Sequence, residues 1–335
     1  MKNKIKNRYV IGCHIMFYEI EIYKEYIDGL INLLETVDNK ENVYLDFCFN
    51  IAEHIEKIDT DKISKEELIS QFKEGISRLQ YKLAMPNIKY WIHNTSDGFY
   101  YHSDYRRDLN YNYCKKVDYI MHGETDSFFP KEAIQSLESL SEYTNSENIH
   151  RYVVCFADRK MWDSSWDPTV HIDYEGLEYI DDENHHLHKT QAKSPLSIEE
   201  MNKINSKIED FDFRYINSPK IDGSCLVLSS DLIKFGVNVP SCLIYNDDHG
   251  VSIMAEKLLG KNYIQFICKN LLKVHARRHP NKRLYVLNEN NRHSFENLKT
   301  DNFNKFKQLS QQNIQTLTTN SNNKFYEYKD FKEII

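Results

Sequence analysis

The stretch YIMHGETDSFFP, residues 119–130, passes from an apolar run into two acids one residue apart, Glu124 and Asp126, and closes on an aromatic pair and Pro130. An apolar run ending in carboxylates has the pattern of a buried strand whose carboxyl end opens on a site, and open α/β sheets bind ligands beyond those ends. Two carboxylates at i and i+2 in a tight turn can converge on a hard divalent cation and on the diphosphate or ribose hydroxyls that accompany it. The same pattern also suits a solvated turn that caps a helix. The surrounding sequence decides between them.

Upstream, YVIGCHIM (9–16) predicts a strand, and IYKEYIDGLINLLETV (22–37) places Ile22, Tyr26, Ile27, Leu30, Leu33 and Leu34 at helical spacing. VYLDFCFN (43–50) predicts a second buried strand. SKEELISQFKEGISRLQ opens a helix with a capping box at Ser64 and Glu67, and IKYWIHN (88–94) supplies a third strand. A helix over 103–116 then precedes the strand VDYIM (117–121). Strands alternating with helices at crossover length predict an α/β sheet with helices on its faces.

Downstream, RYVVCFA (151–157) begins a second series, 181–205 reads as a polar excursion or flexible loop, and SPKIDGSCLVLSSDLIKFG restores a strand-turn-helix pattern. Beyond about residue 300 the Asn, Gln, Lys and Thr content predicts a peripheral helix and a poorly ordered tail. No internal repeat is present.

The 335 residues, 41% hydrophobic and 28% charged, are of ordinary globular composition, with no apolar run of bilayer length. MKNKIKNRYV lacks the apolar core of a signal peptide, so a cytoplasmic protein is expected. Cys13, Cys48, Cys155, Cys225 and Cys268 lie in apolar runs and are read as reduced core residues. The net charge of −7 disfavours non-specific nucleic-acid binding while leaving HARRHPNKR (275–283) as a local basic face. GxGxxG, Walker, HExxH and GxSxG motifs are missing, which argues against dinucleotide oxidoreductases, P-loop NTPases, zincins and α/β-hydrolases.

Three further groups give the opening acids a context. Arg106 and Arg107 precede them at a distance suited to neutralising phosphate, and His275 follows an apolar run about 150 residues later. Between them, NDDHG sets Asp247 and Asp248 before an amphipathic helix, where a carboxylate can act as a general base.

In their order and spacing these residues resemble the GT-A glycosyltransferases, especially family-2-like ones, over roughly residues 8–283. RRDLNYNYCKKVDYIMHGETDSFFP is similar to the family's Arg/Asn helix, short strand and DxD-type metal motif, with Glu in place of the first Asp. DGSCLVLSSDLIKFG resembles the acceptor-side strand and helix, and NDDHG the catalytic-base motif. The resemblance implies an α/β, Rossmann-like mixed sheet flanked by helices with a helical C-terminal extension. It divides into a donor half (1–145), an acceptor half (146–290) and the extension (291–335).

It further implies a nucleotide-sugar donor, UDP-linked first of all, and Mn²⁺ or Mg²⁺ held by Asp126 and His275, with Glu124 on metal or ribose. Asp248, or Asp247, would be the base of an inverting transfer. Phe17, Tyr18, Asn50 and Asp97 are candidates for the nucleotide, each with an alternative in local packing.

Trp162 and Trp166 in WDSSWDP are candidates to stack a sugar or base, or to pack under their loop. His185, His186 and His188 lack matching acid or cysteine spacing for a metal site. The Lys/Asn/Ile/Tyr-rich style also resembles proteins of large tailed phages, whose transferases glycosylate or arabinosylate hydroxymethylcytosine in DNA. That resemblance implies DNA as acceptor, with Arg277, Arg278, Lys269 and Lys273 on phosphates and Trp162 or Trp166 receiving an extruded base. A surface glycan or other soluble acceptor, a metal-dependent phosphoesterase or nuclease, and a non-catalytic sugar-nucleotide-binding protein are the rival readings.

Overall fold

Eight strands form one mixed sheet in the order β3-β2-β1-β4-β8-β6-β9-β7. The computed structural model describes residues 3–52, 63–159, 163–177, 197–275, 301–320 and 325–326. In chain order the elements are β1 (Tyr9–Met16), α1 (Ile20–Leu34), β2 (Val43–Ile51), α2 (Lys65–Leu83), β3 (Ile88–Asn94), α3 (His102–Tyr113), β4 (Tyr119–Gly123) and β5 (Ser127–Phe128). They continue with α4 (Ala133–Ser146), β6 (Val153–Ala157), α5 (Ile198–Asn205), β7 (Phe213–Tyr215), β8 (Leu226–Ser229) and α6 (Ser230–Lys234). The last are α7 (Asp247–Leu259), β9 (Gln265–Leu272), β10 (Val274–His275) and α8 (Asp301–Thr319).

β1, β2, β3 and β4 are parallel, so their carboxyl ends share one edge. β8 runs antiparallel between β4 and β6, and β9 returns parallel to β6. The expected mixed sheet flanked by helices is therefore present. β5 and β10 pair separately as a short antiparallel ribbon, with His275 opposite Ser127.

Strand alternation sorts the side chains into two layers. Tyr9, Ile11, Cys13 and Ile15 of β1 join the larger core with the helices α1, α2 and α4. Val10 joins a second core with Tyr105 and Leu109 of α3 and Val251 and Ala255 of α7. α2 shows the local logic clearly: Leu68, Phe72, Ile76, Leu79 and Leu83 recur every three or four residues, and the Ser64 hydroxyl accepts from the Glu67 amide at 3.2 Å. All seven cysteines are free thiols, and the five assigned to the core are buried there.

Two expectations need correction. Residues 198–205 are not loop but α5, because Ser197 and Glu200 form a capping box and Met201 and Asn205 are buried. α8 is not merely peripheral: Phe306, Ser310 and Asn313 are buried. The Ser310 hydroxyl bonds Tyr245 on both backbone groups, and the Asn313 amide donates to the Cys242 carbonyl at 2.6 Å. α8 thus fixes the segment leading into α7. Among the described residues no helix is long and apolar enough to cross a membrane.

α3 lies close on β1 because Gly12 has no side chain: a Cβ there would overlap Leu109 and meet the Tyr105 hydroxyl at 2.6 Å. Gly12→Ala should destabilise the protein by about 1–3 kcal/mol in urea denaturation, the usual cost of overpacking a tight contact. A loss below about 0.5 kcal/mol would mean that α3 slides to accommodate the methyl.

Candidate active site

Four distant segments meet beyond the carboxyl edge of the sheet. The first two turns of α3 bring His102 and Arg106, the turn after β4 brings Glu124 and Asp126, the start of α7 brings Asp247 and Asp248, and β10 brings His275. The Ser127 amide donates to the Glu124 carbonyl at 3.0 Å, closing the turn that carries both acids. His275 Nε2 lies 3.8 Å from Glu124 Oε2 and 3.8 Å from Asp126 Oδ1. The β5–β10 ribbon therefore does what sequence proximity does not, setting a residue from late in the chain against the acids of residues 124–126.

Arg106 is the hub. Its side chain is 2% exposed; Nη1 donates to Asp247 Oδ2 at 2.5 Å, and Nη2 to Glu124 Oε1 at 2.8 Å and to the Gly223 carbonyl at 3.0 Å. Gly223 admits this approach, since a Cβ there would lie 3.0 Å from Nη1 and 3.3 Å from Asp248. Burial alone would lower the guanidinium, but Asp247 and Glu124 outweigh it and hold it above its ordinary value.

The three acids take different electrostatic settings. Burial pushes Asp247 up, but Arg106 and the nearby His102 more than reverse this and hold it at about 2. Burial pushes Glu124 up to about 7, with Asp126, Asp222 and Asp247 adding to the effect and Arg106 opposing it. Asp248, partly accessible at the surface, is pushed up to about 6 by burial and then by the charge of Asp247. Its Oδ1 accepts from the His249 amide at 2.7 Å. His102, 4.0 Å from Glu124 and 3.9 Å from Asp247, is lowered to about 4 by burial and by Arg106, so it is neutral at pH 7.

Glu124, Asp126 and His275 fit a divalent cation. Their ligand atoms lie within 4.8 Å of one another, and two carboxylates with one imidazole suit Mn²⁺ or Mg²⁺ with the remaining positions left to water or phosphate oxygens. A cation there would also reverse the upward pressure on Glu124.

Beside the acids is a cleft of about 240 Å³ lined in part by His14, Met16, Tyr18, Tyr101 and Tyr245. His14 is held in one tautomer. Asn50 Nδ2 donates to the Tyr100 carbonyl at 2.7 Å and is 3.1 Å from His14 Nε2. An amide nitrogen can only donate, so Nε2 accepts and the ring proton is on Nδ1. Burial keeps this ring well below the usual histidine range and neutral.

The remaining sequence candidates fall in several places. Tyr18 lines the cleft, whereas Phe17 is enclosed in the core and offers no surface to a ligand. Asn50 is fully buried behind His14. Asp97 caps its own turn, accepting from the Asn94 amide at 3.0 Å, and lies outside the cleft lining. Arg107 pairs with Asp104 and donates to the Pro240 carbonyl, away from the acids.

Arg106 faces the centre, but as a buried partner of carboxylates rather than an open phosphate ligand. Trp166 carries the Lys220 ammonium 4.5 Å over its ring. Lys269 and Lys273 are buried and do not offer their ammonium groups to DNA phosphates. Trp162, Arg277, Arg278 and the histidines at 185, 186 and 188 lie outside the described residues.

Sequence reasoning missed His14, His102 and Gly223, and a buried group next to His275 made of Lys273, Asp222, Asp158 and Ser224. Only Gly223 carried a visible signal, standing between a polar turn and a strand in DGSCLVL.

No family model and no curated protein matches the chain. Among solved structures it is similar to residues 1–349 of TarS from S. aureus in complex with UDP-GlcNAc, with a TM-score of 0.41 and 11% identity over 78% of this chain and 56% of that one. It is also similar to the bifunctional glycosyltransferase WbbM in its apo form, with a TM-score of 0.28 and 8% identity over 81% of this chain and 37% of that one. The chain thus spans about half of the one and about a third of the other.

Arg106→Met should cost about 3–5 kcal/mol of stability in urea, because it strands the buried Asp247 and the half-buried Glu124 without their shared cation. A loss under about 1 kcal/mol would show that Glu124 and Asp247 reach solvent without it.

Proposed function

We propose that the protein is a metal-dependent, inverting glycosyltransferase that moves a sugar from a nucleoside-diphosphate donor to an acceptor hydroxyl. The observation that carries this reading is the pair of acidic groups on either side of Arg106. Glu124 and Asp126 lie with His275 on one side, and Asp247 and Asp248 start α7 on the other. A donor diphosphate needs a cation, an acceptor hydroxyl needs a base, and the two must flank the anomeric carbon.

Glu124, Asp126 and His275 would hold the cation, which when bound offsets the negative charge growing on the departing diphosphate. Asp248 takes the proton of the acceptor hydroxyl as its oxygen bonds to the anomeric carbon; the bond from that carbon to the diphosphate oxygen breaks, and configuration inverts. Asp247 is unsuited to that step, because Arg106 holds it ionised and engaged. It keeps Arg106 in place and raises the basicity of its neighbour. The cleft beside Tyr18 and His14 is assigned to the nucleoside.

The acceptor is proposed as a hydroxyl-bearing molecule, with hydroxymethylated DNA the first to test. The DNA version rests on the basic run after His275 and loses the support of Lys269 and Lys273. A second reading, phosphoester hydrolysis by two cations, draws on another group of possible ligands, Asp158, Asp222 and His275. It is disfavoured because the Lys273 ammonium lies 2.6 Å from Asp222 and 3.3 Å from Asp158.

Calorimetry with a panel of UDP- and GDP-sugars should show binding that requires Mn²⁺ and is lost in Asp126→Ala with the unfolding midpoint unchanged. Binding that survives without metal, or in Asp126→Ala, would overturn the donor site. Asp248→Asn should keep donor binding and lose at least 100-fold in turnover, followed as nucleoside diphosphate release. A base works only when deprotonated, so wild-type kcat should be lost as pH falls through about 6, the level to which burial and Asp247 raise Asp248 against Arg106. A profile flat between pH 5 and 7.5 would exclude Asp248 as the base.

A further inference from the structure

Lys273 is one of the most enclosed charges in the described structure, with its side chain 1% exposed. Its ammonium donates to Asp222 Oδ2 at 2.6 Å and to the Ser224 hydroxyl, and it forms an ion pair with Asp158 Oδ2 at 3.3 Å. One ligand atom each from Asp158, Asp222 and His275 lies within 4.8 Å of the others, just as with Glu124, Asp126 and His275. The imidazole of His275 is thus common to two sets of carboxylates, and the set of Asp158 and Asp222 has an ammonium built into it.

The backbone fixes where this lysine sits. Pairing between β6 and β9 jumps from Phe156 opposite Cys268 to Ala157 opposite Leu272, and the extra residues of β9 swing Lys273 out of the strand. The Asn205 side chain holds both backbone groups of Leu272, at 2.8 and 2.9 Å, and the Lys273 amide donates to the Ala157 carbonyl at 2.9 Å. Asp222 is fixed in turn, accepting from the Ser224 amide at 3.1 Å and hydroxyl at 3.0 Å. Gly223, between them, gives its carbonyl to Arg106.

We propose that Lys273 is a tethered stand-in for a second cation. Its ammonium fills the place among Asp158, Asp222 and His275 that a divalent ion would take, and limits the centre to one exchangeable metal at Glu124, Asp126 and His275. The inference rests on the metal reading of that second trio. A monovalent charge on a covalent arm suits this role, because it contacts both buried carboxylates and balances the charge of one, cannot be lost to solvent or chelators, and leaves His275 to the exchangeable ion. Lys273 is a positioning residue, acting on the centre through His275 and through Asp222 and the Gly223 carbonyl.

Mn²⁺ titration of the purified chain, following free Mn²⁺ by electron paramagnetic resonance, tests this without any turnover. The wild type should bind one Mn²⁺, lost in Asp126→Ala and kept in Asp222→Asn. Lys273→Ala should bind two, and adding Asp222→Asn to it should remove one. A Lys273→Ala protein that still binds a single Mn²⁺, or a wild type whose second Mn²⁺ disappears with Asp222→Asn, would overturn the proposal. The latter measurement needs only the wild type and Asp222→Asn, so the proposal stays exposed even if Lys273→Ala fails to fold. A wild type that binds none, beside a Lys273→Ala that binds one sensitive to Asp222→Asn, would sustain the stand-in and overturn the metal reading of Glu124, Asp126 and His275 alone.

Discussion

A single buried guanidinium organises the carboxyl edge of this sheet. Arg106 leaves the first turns of α3 and bonds the turn after β4, the start of α7 and the backbone before β8. Each of these elements is placed by its own packing, but their mutual distance is set by the reach of one planar fork. The same contact separates the chemistry of the acids. Asp247, in contact with the cation, is held at about 2, while Asp248, one residue on, rises to about 6. Two adjacent aspartates in the sequence thus become unlike groups because one is bonded to Arg106 and the other feels mainly burial and its neighbour's charge.

Polar residues continue beneath α3. His14 of β1, Asp46 and Asn50 of β2, and His122 of β4 are even-numbered and buried, whereas their odd-numbered neighbours join the apolar core on the opposite face. Their partners come from α3 or from the segment before it: the Tyr105 and Tyr113 hydroxyls donate to Asp46, Asn110 Oδ1 lies 2.7 Å from His122 Nε2, and the Tyr100 carbonyl accepts from Asn50. An apolar interface would bury α3 at lower cost, since each of these groups is desolvated and must be matched. What the polar interface supplies is register: α3 can sit in only one position along β1 and β4 with its partners matched, and that position delivers Arg106 to the acids.

Periodicity made the first half of the fold legible. β1, β2 and β3 are continuous apolar or alternating runs, α2 announces itself by cap and stripe, and the carboxylates at the end of β4 mark the edge on which ligands can act. The losses have particular causes. α5 buries little beyond Met201 and Asn205, and in α8 the apolar Phe306, Leu309, Ile314 and Leu317 are interleaved with Asn, Gln, Lys and Thr, so composition read as a loop and as a peripheral helix with a tail. Even there the Ser197–Glu200 capping box stood in the sequence and was outweighed by its polar surroundings. Arg106 and Arg107 differ by one helical step of about 100°, enough to send one into the centre and the other to Asp104 and Pro240. Lys269 and Lys273 read as surface cations beside a basic run, because no local pattern shows that three extra residues in β9 turn its end inward.

The centre therefore depends on contacts far apart in sequence. Glu124 and Asp126 lie within one turn, but His275 reaches them only after β9 has paired with β6 and the β5–β10 ribbon has formed. Asp247 reaches Arg106 only with α7 in place, and α8 holds the segment before α7 by hydrogen bonds to Cys242, Ile244 and Tyr245. Loop closure on this scale costs chain entropy before any contact in the centre offsets it. The buried charges cannot drive that assembly, because desolvation cancels most of their attraction; the apolar layers on the two faces of the sheet must supply the stability, and the charges then favour the arrangement in which Arg106 and Lys273 meet their carboxylates. This division of roles explains why the apolar strands could be read locally while the partners of Arg106 and Lys273 could not.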